Sequence, residues 1–148
     1  MSRAYHRTSP KPHPGASVID YRIDTPLALA DILRVLDASG IQRPTHDSAR
    51  IGRMFKAADI VVSAWSGDTL IGLCRALTDF SYCCYLSDLA VDQAFQRRGI
   101  GSGLVERLRA ALGDEVSIVL LSAPAAMGYY PGLGFAPAGN AFVLKRTR

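Results

Sequence analysis

The chain has 148 residues, of which 49% are apolar and 20% charged, enough for one compact core, too few for two domains, and unlike a disordered or collagen-like chain. The formal net charge is +4, but Arg3, Arg7 and Lys11 lie in residues 1–16 without any acid. With those three set aside, 14 of the 17 basic residues stand against 13 acidic ones, so no broad basic surface for nucleic acid is expected.

Residues 1–16 lack an apolar stretch behind their basic residues and read as a flexible arm rather than a secretory signal. Residues 17–148 read as one domain. Cys74, Cys83 and Cys84 cannot all pair within the chain, and no His/Cys spacing suggests a metal site, so a reduced cytoplasmic setting is expected. Val116 to Leu144 contains no charged residue, yet Pro124, Pro131, Pro137 and several glycines interrupt it, so no membrane-spanning helix is expected.

In chain order, Ser17–Ile23 alternates as a strand. Leu29, Ile32, Leu33 and Leu36 give one apolar helix face, with Pro26 suited to open the helix and Gly40 to close it. Asp47 or Ser48 can cap a second helix with Ile51, Met54, Phe55 and Ala58 inside, leaving Arg50, Arg53 and Lys56 to face water or an anion. Ile60–Trp65 and Thr69–Leu77, joined by Ser66-Gly67-Asp68, read as a hairpin, and Tyr82–Val91 as a further strand.

Gly99–Leu112 is an amphipathic helix with Leu104, Val105, Leu108 and Leu112 on its inner side. Ser117–Leu121 reads as a strand buried on both faces, Ala125–Tyr130 as about two helical turns opened by Pro124, and Ala141–Lys145 as a closing strand. The fold class is α/β (α+β): one mixed, mostly antiparallel sheet with helices on both faces.

The segment Gln96-Arg97-Arg98-Gly99-Ile100-Gly101-Ser102 joins a strand to a helix. Small residues at a helix start leave backbone N–H groups free for an anion, with the helix dipole adding positive potential. Neither the nucleotide-binding GxxxxGK[ST] loop nor the dinucleotide GxGxxG pattern fits, since residue 104 is Leu and Gly103 is out of register. An ordinary helix start, with glycines needed for packing, is the plainer reading.

Gln96 to Gly101 resembles the Q/R-x-x-G-x-G/A signature of the GNAT N-acetyltransferase superfamily, directly after an apolar strand ending Leu-Ala-Val. Tyr129-Tyr130-Pro131-Gly132-Leu133-Gly134-Phe135 resembles the family's F-Y-x-x-L-G-F ending, at matching distance, so the resemblance covers residues 17 to 146. It implies that Gln96, Arg97, Arg98, Gly99, Ile100, Gly101 and Ser102 hold the pyrophosphate of acetyl-CoA, a cosubstrate. It also implies that Leu89, Ala90 and Val91 pair with the pantetheine arm, and that an N–H near Leu89 holds the oxyanion. Ser122 stands where many members carry a pantetheine-binding asparagine.

The implied reaction is acetyl transfer to a primary amine of a small molecule or peptide, by direct attack in a ternary complex. Tyr130 is the implied proton donor to the leaving thiolate, a task a phenol can perform at neutral pH; a core aromatic is its plainer reading. Asp88 is the candidate base. Alternation places it on the face of Tyr82, Cys84 and Leu86, apolar company that would suit a proton acceptor; a buried acid bonded to a neighbouring loop is the other reading.

Asp79 is better explained by its turn, Cys83 and Cys84 by inert strand packing, and His6, His13 and His46 by solvent. Acceptor choice in the family points to residues 37–58, Trp65 and 78–85, where Trp65, Phe80, Tyr82 and Tyr85 could line a pocket. Dispersed Asp47, Asp59, Asp68, Asp79 and Asp88 give no acidic pocket for a polyamine or an aminoglycoside. Expected partners are acetyl-CoA and an amine, with no nucleic acid and no membrane, and a homodimer stays open. The competing reading is a non-catalytic coenzyme-binding sensor or interaction module.

Overall fold

A computed structural model describes residues 18–148; the N-terminal arm assigned to residues 1–16 lies outside them. Five strands, β1 (Ile19–Ile23), β2 (Ile60–Ser66), β3 (Thr69–Thr78), β4 (Cys83–Val91) and β5 (Ser117–Val119), form one sheet in the order β1-β2-β3-β4-β5. Neighbours are antiparallel except β4 and β5, which run parallel. The helices α1 (Leu29–Ser39) and α2 (Ser48–Lys56) precede β2, and α3 (Ile100–Leu112) connects β4 to β5, the crossover that a parallel pair requires.

The helices cover both faces of the sheet, as the apolar periodicities predict. Ile32, Val35 and Leu36 of α1 and Ile51 of α2 pack with Trp65, Leu70, Leu73 and Ala90. On the other face Leu104, Val105, Leu108 and Leu112 of α3 pack with Val62, Ala64, Ile71, Cys74, Cys84 and Leu86. Each fully buried Leu or Ile contributes about 1.5–3 kcal/mol relative to exposure. α1 begins at Leu29 after Ala28, three residues past Pro26, and Gly40 ends it in the left-handed region at φ 80°. Asp47 caps α2 by accepting the Arg50 N–H at 3.0 Å.

Four expectations are corrected. Ala125–Tyr130 is no two-turn helix: Pro124–Ala126 and Tyr130–Leu133 form separate 3-10 turns, because Gly128, Pro131 and Gly132 interrupt continuous helical bonding. β5 ends at Val119 and is not buried on both faces; Val119 is 48% exposed, β5 being the last strand of the sheet with, among the described residues, no strand beyond it. Ala141–Lys145 is not a strand here, having no partner, and Phe142 and Leu144 stand 97% and 102% exposed.

The fourth concerns the face of Asp88. Opposite β3, Arg75 pairs with Asp88 but Ala76 pairs with Leu86, so Ser87 is an extra residue on β4. Such a bulge reverses the side-chain alternation beyond it. Cys84 and Leu86 therefore face α3, whereas Asp88 meets Arg75, whose guanidinium lies 5.7 Å from the Phe55 ring of α2.

The thiols behave as strand residues should. Burial pushes the Cys74 thiol up to about 12 and the Cys84 thiol up to about 11, while Cys83 is exposed. At pH 8 the thiolate fraction of the first two is then below about one in a thousand. An aromatic disulfide reagent at that pH is expected to label one thiol per native chain, Cys83, and the other two only after unfolding.

Candidate functional site

The site is built around the Ser87 bulge. Asp88 is fully buried, and its two oxygens accept from Arg43 Nε and Arg75 Nε. The same two guanidinium groups hold the bulge itself: Arg43 Nη2 donates to the Ser87 carbonyl at 2.7 Å, and Arg75 Nη2 to Ser87 Oγ at 2.8 Å. Arg75 also reaches the Met54 carbonyl of α2 at 3.4 Å. The apolar company expected for Asp88 is thus replaced by two cations, and the geometry matches a buried acid tied to a neighbouring loop, because Arg43 belongs to the α1–α2 connection.

Beyond the bulge the sheet opens. β5 follows β4 only from Cys83 opposite Ser117 to Tyr85 opposite Val119. From Leu86 to Val91, β4 keeps β3 on one edge and, among the described residues, has no strand on the other. Leu89, Ala90 and Val91 lie along this free edge, which offers backbone donors and acceptors to an extended ligand.

The edge leads into the loop before α3. Gln96 braces that loop, its Nε2 donating to the Val91 carbonyl at 2.9 Å and to the Ser39 carbonyl at 3.3 Å; it faces the protein rather than a ligand. Arg97 is held at φ 64°, an unusual setting for a non-glycine residue, and Gly99 at φ 76°. Arg98 lies 5.3 Å from the Phe95 ring. No side chain caps α3, and Gly103 donates the first bond back, to the Gly99 carbonyl. The N–H groups of Ile100, Gly101 and Ser102 are therefore available to an anion.

Two glycines of α3 serve contacts that the sequence did not reveal. A side chain on Gly101 would collide with the Tyr129 hydroxyl, and one on Gly103 with the Tyr21 hydroxyl. The Tyr21 ring in turn lies 3.7 Å from the Arg107 guanidinium. Gly101, assigned from the motif, is thus also a place of close approach, as is Gly103 outside it.

Tyr130 is half-buried and stacks edge-on with Tyr129 at 5.4 Å and Phe135 at 5.7 Å between centroids. Burial pushes its phenol above the ordinary range, and the Arg43 guanidinium opposes that shift; Tyr130 and the Asp88 cluster therefore share one neighbourhood. Tyr129 is raised by burial too, with Tyr130 adding to it. Ser122 spends its hydroxyl on the Ala123 carbonyl at 2.8 Å.

Of the proposed acceptor-lining aromatics, Trp65 is buried in the α1–α2 core with Nε1 bonded to Ser63 Oγ at 2.8 Å, so it lines no pocket. Phe80, Tyr82 and Tyr85 are exposed. Asp79 organises the β3–β4 turn by accepting from Ser81, Tyr82 and Cys83 N–H groups, which lower its carboxyl to about 2. Arg43 is the residue that sequence reading missed: a polar residue in a loop carries no periodic signal of its long-range partner. Among the described residues no group of three or more His, Cys, Asp and Glu is placed to hold a metal ion, and no helix is long and apolar enough to cross a membrane.

This combination of a sheet opened between parallel neighbours and an uncapped glycine-flanked helix defines the acyl-CoA acetyltransferase class of fold. The profile of the acetyltransferase (GNAT) family matches residues 29–135, and the chain belongs to that family. A presumed acetyltransferase from Deinococcus radiodurans R1 is 27% identical with a TM-score of 0.71, covering 86% of this chain and 88% of the other. The aminoglycoside N-acetyltransferase AAC(6')-Iy, solved with CoA, is 17% identical with a TM-score of 0.68, covering 91% and 99%, and so shares the fold. The GCN5-related N-acetyltransferase 2, chloroplastic, of Arabidopsis thaliana is 37% identical over 68 residues. That stretch is 45% of this chain and spans about a quarter, 26%, of the relative's length.

Removing one cation from the Asp88 pair leaves a buried charge undercompensated, which costs about 3–5 kcal/mol. Arg75→Ala is expected to lose stability of that order in urea denaturation, with Arg43→Ala losing less because its side chain is 26% exposed against 8% for Arg75.

Proposed function

We propose that this chain transfers the acetyl group of acetyl-CoA to a primary amine of a small molecule or peptide, by direct attack within a ternary complex. The observation that carries the reading is the open β4 edge followed, through the connection after Val91, by the uncapped start of α3. The residues fit the cosubstrate: Ile100, Gly101 and Ser102 offer N–H groups to the diphosphate, Arg97 and Arg98 add cations, and Leu89 to Val91 offer the edge to the pantetheine amides. Gln96 supports the loop from behind, and Ser122 contributes only by releasing its bond to Ala123.

Acetyl-CoA supplies an activated acyl carbon. The neutral amine forms a C–N bond there, the C–S bond breaks as the Tyr130 phenol gives its proton to the departing thiolate, and the proton shed by the attacking nitrogen returns by way of solvent to the Tyr130 phenolate, leaving amide, free thiol and restored enzyme. A backbone N–H of β4 near Leu89 stabilises the oxyanion. Asp88 takes the positioning part: with both oxygens engaged by Arg43 and Arg75, it holds the bulge from which that edge departs. The three thiols suit a reducing, cytoplasmic setting.

Calorimetric titration with acetyl-CoA, followed by thiol release against a panel of amines, tests the whole reading. Binding with amine-dependent release supports it, binding without release under any amine favours a coenzyme-binding module, and no binding overturns both. Gly99→Val, which forces a branched residue to φ 76°, is expected to weaken coenzyme binding at least about tenfold.

Tyr130→Phe is expected to lower kcat by about a hundredfold or more, with little change in coenzyme affinity. The pH dependence follows from the raised phenol: the protonated acid persists through neutral and mildly alkaline pH, so the wild-type rate should fall only above the ordinary phenol range near ~10. The Phe variant should lack that limb. Asp88→Asn is expected to lose stability together with rate, because it leaves the Arg43 and Arg75 guanidinium groups without the charge they share.

A further inference from the structure

The α1–α2 connection brings to the edge of the site a cation that acetyl transfer itself does not use. Arg43 Nε donates to Asp88, Nη1 to the Gln42 carbonyl at 2.7 Å and Nη2 to the Ser87 carbonyl at 2.7 Å. Each Nη carries a second N–H that these bonds leave unused, and 26% of the side chain is exposed. A planar fork with spare donors and solvent access suits a carboxylate.

The charges around it do not cancel. Arg43 and Arg75 share the one carboxylate of Asp88, which leaves a surplus positive charge beside the Ser87 bulge. Among the described residues Arg43 has no ion pair besides Asp88. The acids that flank the connection are tied to their own loops: Asp37 accepts from Thr45 Oγ1 and Asp47 from the Arg50 N–H. α2, which follows, carries Arg50, Arg53 and Lys56 and no acid, so the approach to this side favours an anion.

Next to the bulge lies an apolar surface. Leu77 and Tyr85 pair across β3 and β4. Ala76, Cys84 and Leu86 pack towards α3, so alternation turns Leu77 and Tyr85 to the side of Arg75 and α2. Phe55, in the last turn of α2, lies over the Arg75 guanidinium; past it, Leu77 and Tyr85 are each 39% exposed. Leu89, near the proposed oxyanion donor, is two residues beyond Ser87, roughly 7 Å along an extended strand. An amine attacking there and a carboxylate held at Arg43 therefore belong to one small molecule.

We propose that the acceptor is a free amino acid with an apolar side chain, its carboxylate held by the outward N–H groups of Arg43 and its side chain resting on Leu77 and Tyr85. This rests on the acetyl-transfer reading and names its substrate class. The acetyl group passes from sulfur to the acceptor nitrogen, the CoA thiol gains a proton for the one the amine loses, and the carboxylate leaves unchanged on the N-acetylated product. A peptide puts an amide where this carboxylate lies, and a polyamine brings cation to cation.

Thiol release is measured with leucine and phenylalanine, with their carboxamides, and with the same amines lacking the carboxyl group, each at equal concentration of neutral amine. The wild-type kcat/KM is expected to be about tenfold or more higher for the acids, with the difference in KM. Arg43→Gln is expected to erase that preference. Arg43→Lys, which keeps a charge beside Asp88 without the fork, is expected to retain part of it. A general loss of structure lowers every acceptor alike and leaves the ratio of acid to amide in place. No preference for acid over amide, a preference that survives Arg43→Gln, or acetylation of neither while acetyl-CoA still binds overturns the proposal. Failure to bind acetyl-CoA instead overturns the acetyl-transfer reading beneath it.

Discussion

Everything at the centre of this molecule depends on one buried carboxylate shared by two guanidinium groups. Asp88 lies inside a sheet, where a lone charge would be prohibitively desolvated. Arg75 reaches it from the adjacent strand and Arg43 from the α1–α2 connection, and both also bind Ser87, the extra residue of β4 between the partners of Arg75 and Ala76. The charge network is therefore also the clamp on a backbone irregularity. Its net positive charge lies near the Tyr130 phenol and opposes the effect of burial on that group.

The bulge and the parting of β4 from β5 act together. A strand paired along both edges has no backbone groups left for a ligand, and an isolated strand has no fixed direction. β4 escapes both limits: β3 fixes it along one edge, while beyond Tyr85 the other edge has, among the described residues, no strand on it. α3 then starts at the end of that edge with its first amides uncapped. A long, thin, anionic-ended cosubstrate matches this sequence of features from its amide-rich arm to its diphosphate.

How much of this the sequence disclosed follows from the range of each interaction. The helices α1, α2 and α3 and the β2–β3 hairpin were legible because periodicity and turn residues are local. The glycine loop was legible because its residue types are demanded by backbone geometry. The face of Asp88 was misread because one inserted residue reverses alternation, and the insertion is visible only in the register with β3. Arg43 was invisible for a related reason: its partners lie 44 and 45 residues away. Ala141–Lys145 had strand chemistry, but a strand exists only with a neighbour, and a single chain's pattern does not state which edge supplies it.

Arg43 also ties together parts that a designer would prefer to vary separately. It sits in the connection between α1 and α2, yet its guanidinium grips the Ser87 carbonyl at the heart of the sheet. Grafting a foreign connection here would therefore disturb the bulged strand unless an arginine were retained at the same reach. Any redesign of that connection therefore has to proceed around Arg43 as a fixed point.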